Sequence, residues 1–115
     1  MKKFINFLKF LAILFLLIMA FIFIVHNATW GHERIHKKIY SRYFIESEMN
    51  VSIFTGSVMP NNLSEYDKCN DACKTQHTIN DVISYEMENL IFTLFGLFFI
   101  YLIYKTWIKN ETTNR

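Results

Sequence analysis

Two apolar blocks, one near each end of the chain, restrict its folding more than any other feature. The first runs from Phe4 to Val25, broken only by Asn6 and Lys9. The second runs from Leu90 to Ile108, with Thr93, Gly96, Lys105 and Thr106 as its clear interruptions. A bilayer core takes about 20 apolar helical residues, and each block approaches that length. The expected fold class is therefore mainly α: two transmembrane helices forming a hairpin, with a small α-rich cap between them that holds at most one short strand. The expected divisions are a tail at 1–3, a span at 4–25, the cap at 26–88, a second span at 89–108 and a tail at 109–115. The twelve phenylalanines read as lipid-facing bulk rather than as the lining of a cofactor pocket.

Lys2 and Lys3 ahead of the first block suit a signal sequence. Its apolar run is longer than a usual signal core, and Val25-His26-Asn27-Ala28 offers no small-x-small cleavage site. The expectation is an uncleaved signal anchor. Lys2, Lys3 and Lys9 flank the first block and Lys105, Lys109 and Arg115 follow the second, whereas the central loop carries most of the acids. Both termini are thus expected in the cytoplasm and the loop outside, although Arg34, Lys37, Lys38 and Arg42 pull the other way. Trp30 and the set Tyr101, Tyr104 and Trp107 suit interfacial belts. The basic, aromatic strip from Arg34 to Tyr43 reads as a lipid-headgroup contact, and no nucleic-acid partner is expected at a net charge of +2.

About 60 water-facing residues make a marginal domain unless something staples them. Within them His32-Glu33-Arg34-Ile35-His36 is an HExxH motif. Residues four apart share a helix face, so both imidazoles can reach one metal ion, and the glutamate beside them can take a proton from water. Ile35, Ile39 and Tyr43 continue a helical period that Asn27 or Thr29 could cap and that ends near Phe44. Met49 to Thr55 alternates like a short strand, and Gly56 with Pro60-Asn61-Asn62 marks turns. A second helix is expected from Ser64, where Cys69, Cys73, His77, Asp81 and Tyr85 recur every fourth residue as a slanting stripe.

A catalytic zinc site uses three protein ligands and one open position. His32 and His36 supply two; Asp81 is the first candidate for the third, His77 the next, and Glu86 or Glu88 stand behind them. Glu33 is the candidate general base, and Tyr85 the candidate for steadying an oxyanion. Against this stands a plain solvated face of Glu33, Arg34 and Lys37. Cys69 and Cys73 admit a disulfide, a closed Cys2His2 zinc site with His32 and His36, or free thiols. The disulfide ranks first for a loop outside the cytoplasm, although an intact helix holds residues four apart near the upper limit for such a bond.

On His32, Glu33, His36, Ile39, Tyr40, Tyr43 and Ile45, then Cys69, Cys73, His77, Asn80, Asp81 and Tyr85, the loop resembles a group of small archaeal and viral membrane proteins. Their pattern reads HExxHxxIYxxYGI, a cysteine pair, HxxNE and a Gly-Tyr pair. Phe44 stands where that pattern has glycine, Asp81 where it has glutamate, and Ser84 where it has glycine. The loop is also similar to zinc peptidases whose HExxH is completed by a distant acidic ligand. That resemblance implies a zinc cofactor and peptide hydrolysis. Such enzymes carry a substrate-binding edge strand before the HExxH helix, a place held here by an apolar helix.

Two functions follow as expectations. One is a membrane-anchored, zinc-binding ectodomain working as a minimal HExxH hydrolase on peptides near the outer surface, with a substrate strand pairing along Val51 to Phe54. The other is a non-enzymatic two-pass membrane protein acting as a scaffold, pore or partner-binding component.

Overall fold

In the computed structural model, residues 1–108 are described; the expected tail at 109–115, with Lys109 and Arg115, lies outside them. The chain divides into two compact units, Ile22–Glu88 and a unit made of Met1–Phe21 with the segment from Asn89 onward.

The second of these units consists of the first half of helix α1 (Lys2–Arg42) and the last half of helix α2 (Asp71–Ile103), which runs on into a π turn at Tyr104–Ile108. Both helices are long and apolar enough to cross a membrane. The phenyl ring of Phe21 packs against Phe92 and Phe95 with centroids 5.3 and 5.0 Å apart, and Phe10 meets Trp107 edge-on at 6.0 Å. Most of the other large apolar side chains here point outward, among them Phe15, Leu16, Leu97 and Ile100.

The Ile22–Glu88 unit is built on the remainder of both helices. α1 is unbroken for 41 residues, so the expected gap between a span and a separate HExxH helix does not exist. Thr29 is no cap: it is buried and its hydroxyl donates back to the Val25 carbonyl at 2.9 Å. The apolar block and the amphipathic segment are each helical in pattern, and no proline intervenes to end one before the other begins.

The helix ends in a Schellman motif. Ile45 N–H bonds the Tyr40 carbonyl at 3.0 Å and Phe44 N–H bonds that of Ser41 at 3.1 Å. This geometry needs a left-handed residue at the turn, and Phe44 takes it with φ 59°. Ile45 is thereby folded under Tyr40, and the two join Ile39, Cys69 and Cys73 in a small buried core, with Tyr43 and Val58 against it.

A two-stranded antiparallel hairpin follows, β1 (Ser47–Val51) and β2 (Gly56–Pro60), paired from Ser47↔Pro60 to Val51↔Gly56. The single strand expected over Met49 to Thr55 is thus corrected: Ser52 to Thr55 form the connecting loop, closed by Ser52 N–H to the Thr55 carbonyl at 2.7 Å. Gly56 and Pro60, read as turn markers, are the two ends of β2. A proline is tolerated there because an edge strand has no partner for the missing N–H. His26 Nδ1–H donates to the Ser52 carbonyl at 3.1 Å, fastening the hairpin loop to α1.

The helix expected from Ser64 is also corrected. Leu63–Lys68 is a 3-10 turn, and α2 starts only after Asn70, whose side chain accepts the Cys73 N–H at 3.0 Å. Asparagine at that position satisfies a backbone donor that the first helical turn leaves open. Cys69, lying before the cap, is free to turn back, and it forms a disulfide with Cys73 across a Cα separation of 5.2 Å. With that bond formed, neither the closed Cys2His2 site nor a pair of free thiols is present.

Candidate metal centre

α1 and α2 each present a stripe of polar side chains within the Ile22–Glu88 unit. On α1, His32 and His36 stand one turn apart with Glu33 beside them. On α2, His77, Asp81 and Ser84 succeed one another at four and three residues, the spacing of one helix face. Asn80, buried, donates from Nδ2 to the His32 carbonyl at 3.2 Å and holds the two stripes together.

Three ligating atoms meet. His36 Nε2 lies 2.9 Å from Asp81 Oδ1, His32 Nε2 lies 3.3 Å from the same oxygen, and the two Nε2 atoms are 3.1 Å apart. A tetrahedral zinc with ligands at 2.0–2.1 Å has ligand–ligand edges of about 3.3 Å. The triangle is therefore slightly tighter than one face of a zinc tetrahedron, and a cation at its centre has only to spread it by tenths of an ångström. The outward ring nitrogens are also engaged. His32 Nδ1 meets the Ser84 hydroxyl, and His36 Nδ1 meets His77 Nδ1 at 2.5 Å. In the tautomers that donate outward from Nδ1, three lone pairs face one another, an arrangement that a cation or a proton relieves.

The centre is sheltered without being closed. The His32 and His36 side chains are mostly buried, while the Asp81 side chain stays 46% exposed, leaving one approach from solvent. Glu33 is buried, with Oε1 3.8 Å from His32 Nε2, and its carboxylate falls within 4.8 Å of ring nitrogens on both histidines. What seats it is the hairpin. A Cβ on Gly56 would lie 2.4 Å from Glu33 Cγ, so only glycine lets β2 come this close.

His77 does not join the triangle. It stands behind His36, its ring stacked on that of His36 at 4.8 Å and tilted against Tyr40 at 4.3 Å. Burial, and the neighbouring His36, lower its pKa below the ordinary histidine range, partly opposed by Asp81. A neutral ring there can accept a hydrogen bond from His36 Nδ1–H. Tyr85 is 66% exposed, and neither it nor Glu86 or Glu88 bonds to the centre. Sequence reasoning assigns Asn80 and Ser84 no role in the site, naming them only within the resembled pattern, and takes Gly56 for a turn. Asn80 and Ser84 lie one turn apart on α2 beside Asp81 and are open to discovery by helical spacing; Gly56 carries no signal beyond being a glycine.

Comparison with protein-family models, with curated proteins and with solved structures gave no match to the chain.

Proposed function

We propose that this is a membrane-anchored metallohydrolase whose cap holds one zinc ion on His32, His36 and Asp81. The observation that carries the proposal is the triangle of His32 Nε2, His36 Nε2 and Asp81 Oδ1, with edges of 2.9 to 3.3 Å. Ser84 and His77 orient the two imidazoles from behind, as second partners of metal-bound histidines do. Bound there, zinc would supply Lewis acidity toward a water and a polarised carbonyl. Glu33, held in place by Gly56, takes the proton from that water and returns it to the leaving group. The exposed side of Asp81 is the route for substrate. Peptide is the favoured substrate class, because the hairpin has a free edge on each strand to which an extended chain can pair. The apolar segments of both helices anchor the cap to the bilayer, with the basic termini in the cytoplasm and the site outside.

The test is zinc content, measured by mass spectrometry on full-length protein in mild detergent. Wild type should hold one zinc per chain and His36→Ala none; equal metal in the two proteins ends the proposal. Glu33→Gln should keep its zinc and lose hydrolysis of a peptide library by about 10²–10⁴-fold. If Glu33→Gln hydrolyses as wild type does, or if neither protein hydrolyses any peptide, the zinc is structural and the protein is a non-enzymatic membrane component.

A further inference from the structure

A second group of ligating atoms lies apart from the triangle. Cys69 sits where the 3-10 turn ends, Cys73 in the first turn of α2, and His77 one turn further. One ring nitrogen of His77 and the two Sγ atoms all fall within 4.8 Å of one another. Cys73 is fully buried and Cys69 only 5% exposed. His77 Nδ1 is engaged with His36, but His77 Nε2 is buried with no hydrogen-bond partner. Buried polar atoms are nearly always paired, and an orphan calls for a state of the protein that uses it.

We propose that reduction of the Cys69–Cys73 bond opens a second metal site, formed by both sulfurs and His77, for a thiophilic divalent cation such as zinc. Cys-x3-Cys falls within the spacing of zinc-binding cysteine pairs, and thiolate with imidazole is a donor set that suits zinc over harder cations. Tetrahedral zinc places two thiolate sulfurs about 3.7 Å apart and a sulfur and a nitrogen about 3.5 Å apart. The sulfur–nitrogen separation lies inside the 4.8 Å spread already present, and the sulfurs, bonded here, reach theirs by rotation about the cysteine side chains once the bond is cut. The redox step balances with a dithiol. The S–S bond takes two electrons and two protons from the dithiol, which closes its own disulfide, and the incoming cation then displaces both protons. Three protein ligands leave a fourth position for water. Ligation through Nε2 puts the His77 proton on Nδ1, the reverse of the tautomer that accepts from His36, and the site forms without metal on His32, His36 and Asp81.

The experiment uses full-length His36→Ala in mild detergent, so that the first triangle is disabled, with Co²⁺ as the probe. Oxidised protein should show no thiolate-to-cobalt charge-transfer absorption in the near ultraviolet. After reduction by a water-soluble phosphine, one equivalent of Co²⁺ should produce that absorption, and Zn²⁺ should abolish it by displacement. Adding Cys73→Ser should remove the band, and adding His77→Ala should weaken Co²⁺ binding by about tenfold or more. Reduced His36→Ala that gives no band overturns the proposal, and so does a band whose affinity is unchanged by His77→Ala. Because wild-type zinc content in the oxidised state is measured separately, failure here and failure of the first site are told apart.

Discussion

Replacing Gly56 by alanine tests whether the hairpin seats the base. The new Cβ would lie 2.4 Å from Glu33 Cγ and 3.1 Å from both Cδ and Oε1, whereas ordinary van der Waals contact begins at 3.4 Å. Backbone or side chain must therefore give way by about 1 Å at Cγ. Glu33 is buried and its Cγ is mid-chain, so the strain cannot be relieved by swinging a free end. Overpacking of this kind costs about 1–3 kcal/mol. If β2 yields, amide exchange across the Ser47–Pro60 hairpin should accelerate by about 5- to 150-fold, since 1.4 kcal/mol is tenfold. Hydrogen-exchange mass spectrometry reads that segment directly, without unfolding the two long helices. The control is Gly31→Ala: a Cβ there meets nothing within 4 Å. In a helix interior that change should stabilise by about 0.5–1 kcal/mol. Wild-type exchange rates in Gly56→Ala, with zinc binding and hydrolysis intact, would refute the claim that β2 holds Glu33.

Other outcomes are equally direct. Phe44→Gly should stabilise the cap, because relieving a left-handed bulky residue returns about 1–2 kcal/mol and glycine's extra backbone freedom takes back about half. The ring is 88% exposed and gives up little packing; a lower urea midpoint in detergent would contradict the reading. Ser84→Ala should weaken zinc by about 10- to 100-fold while leaving cap stability near wild type, as competition with a chromophoric chelator would measure. Unchanged affinity would mean that His32 needs no orienting partner. Glu65 has its pKa lowered by the Lys68 ammonium and then by the Glu46 N–H. That tie is fully present above the unfolded value near 4.5 and is lost as pH falls through the lower folded value. The protection factor of the Glu46 amide should drop on acidification in wild type and stay flat in Glu65→Gln; identical profiles would remove Glu65 from the account.

Much of the site could be read from spacing. His32 and His36 converge because four residues bring two side chains to one helix face, and Asp81 meets them because the later stripe keeps the same period. Helix periodicity reports a face, however, not a depth. That is why spacing alone does not separate Asp81, whose Oδ1 meets both imidazoles, from His77, whose ring stacks behind His36. The hairpin was half legible: Met49 to Val51 alternates, but β2 reads Gly-Ser-Val-Met-Pro, where glycine and proline signal turns more strongly than two apolar residues signal a strand. Its glycine serves close packing on Glu33, a tertiary reason invisible in one dimension. The cysteine pair was legible as a bond only with distortion, and the distortion is the break between the 3-10 turn and α2. Phe44 takes the left-handed position that closes α1, a conformation that nothing in the spacing of the sequence announces.

The bond from Cys69 to Cys73 straddles the start of α2, and this sets more than a local loop. A helix is a screw, and fixing one residue's angle about the axis fixes every later one: each four-residue step carries the direction about 40° onward. From Cys73 the count runs to His77, then Asp81, then Ser84. Clamping the first turn therefore sets the phase at which the aspartate and the serine arrive opposite the histidines, and a slip of one residue at the clamp would swing both away by about 100°.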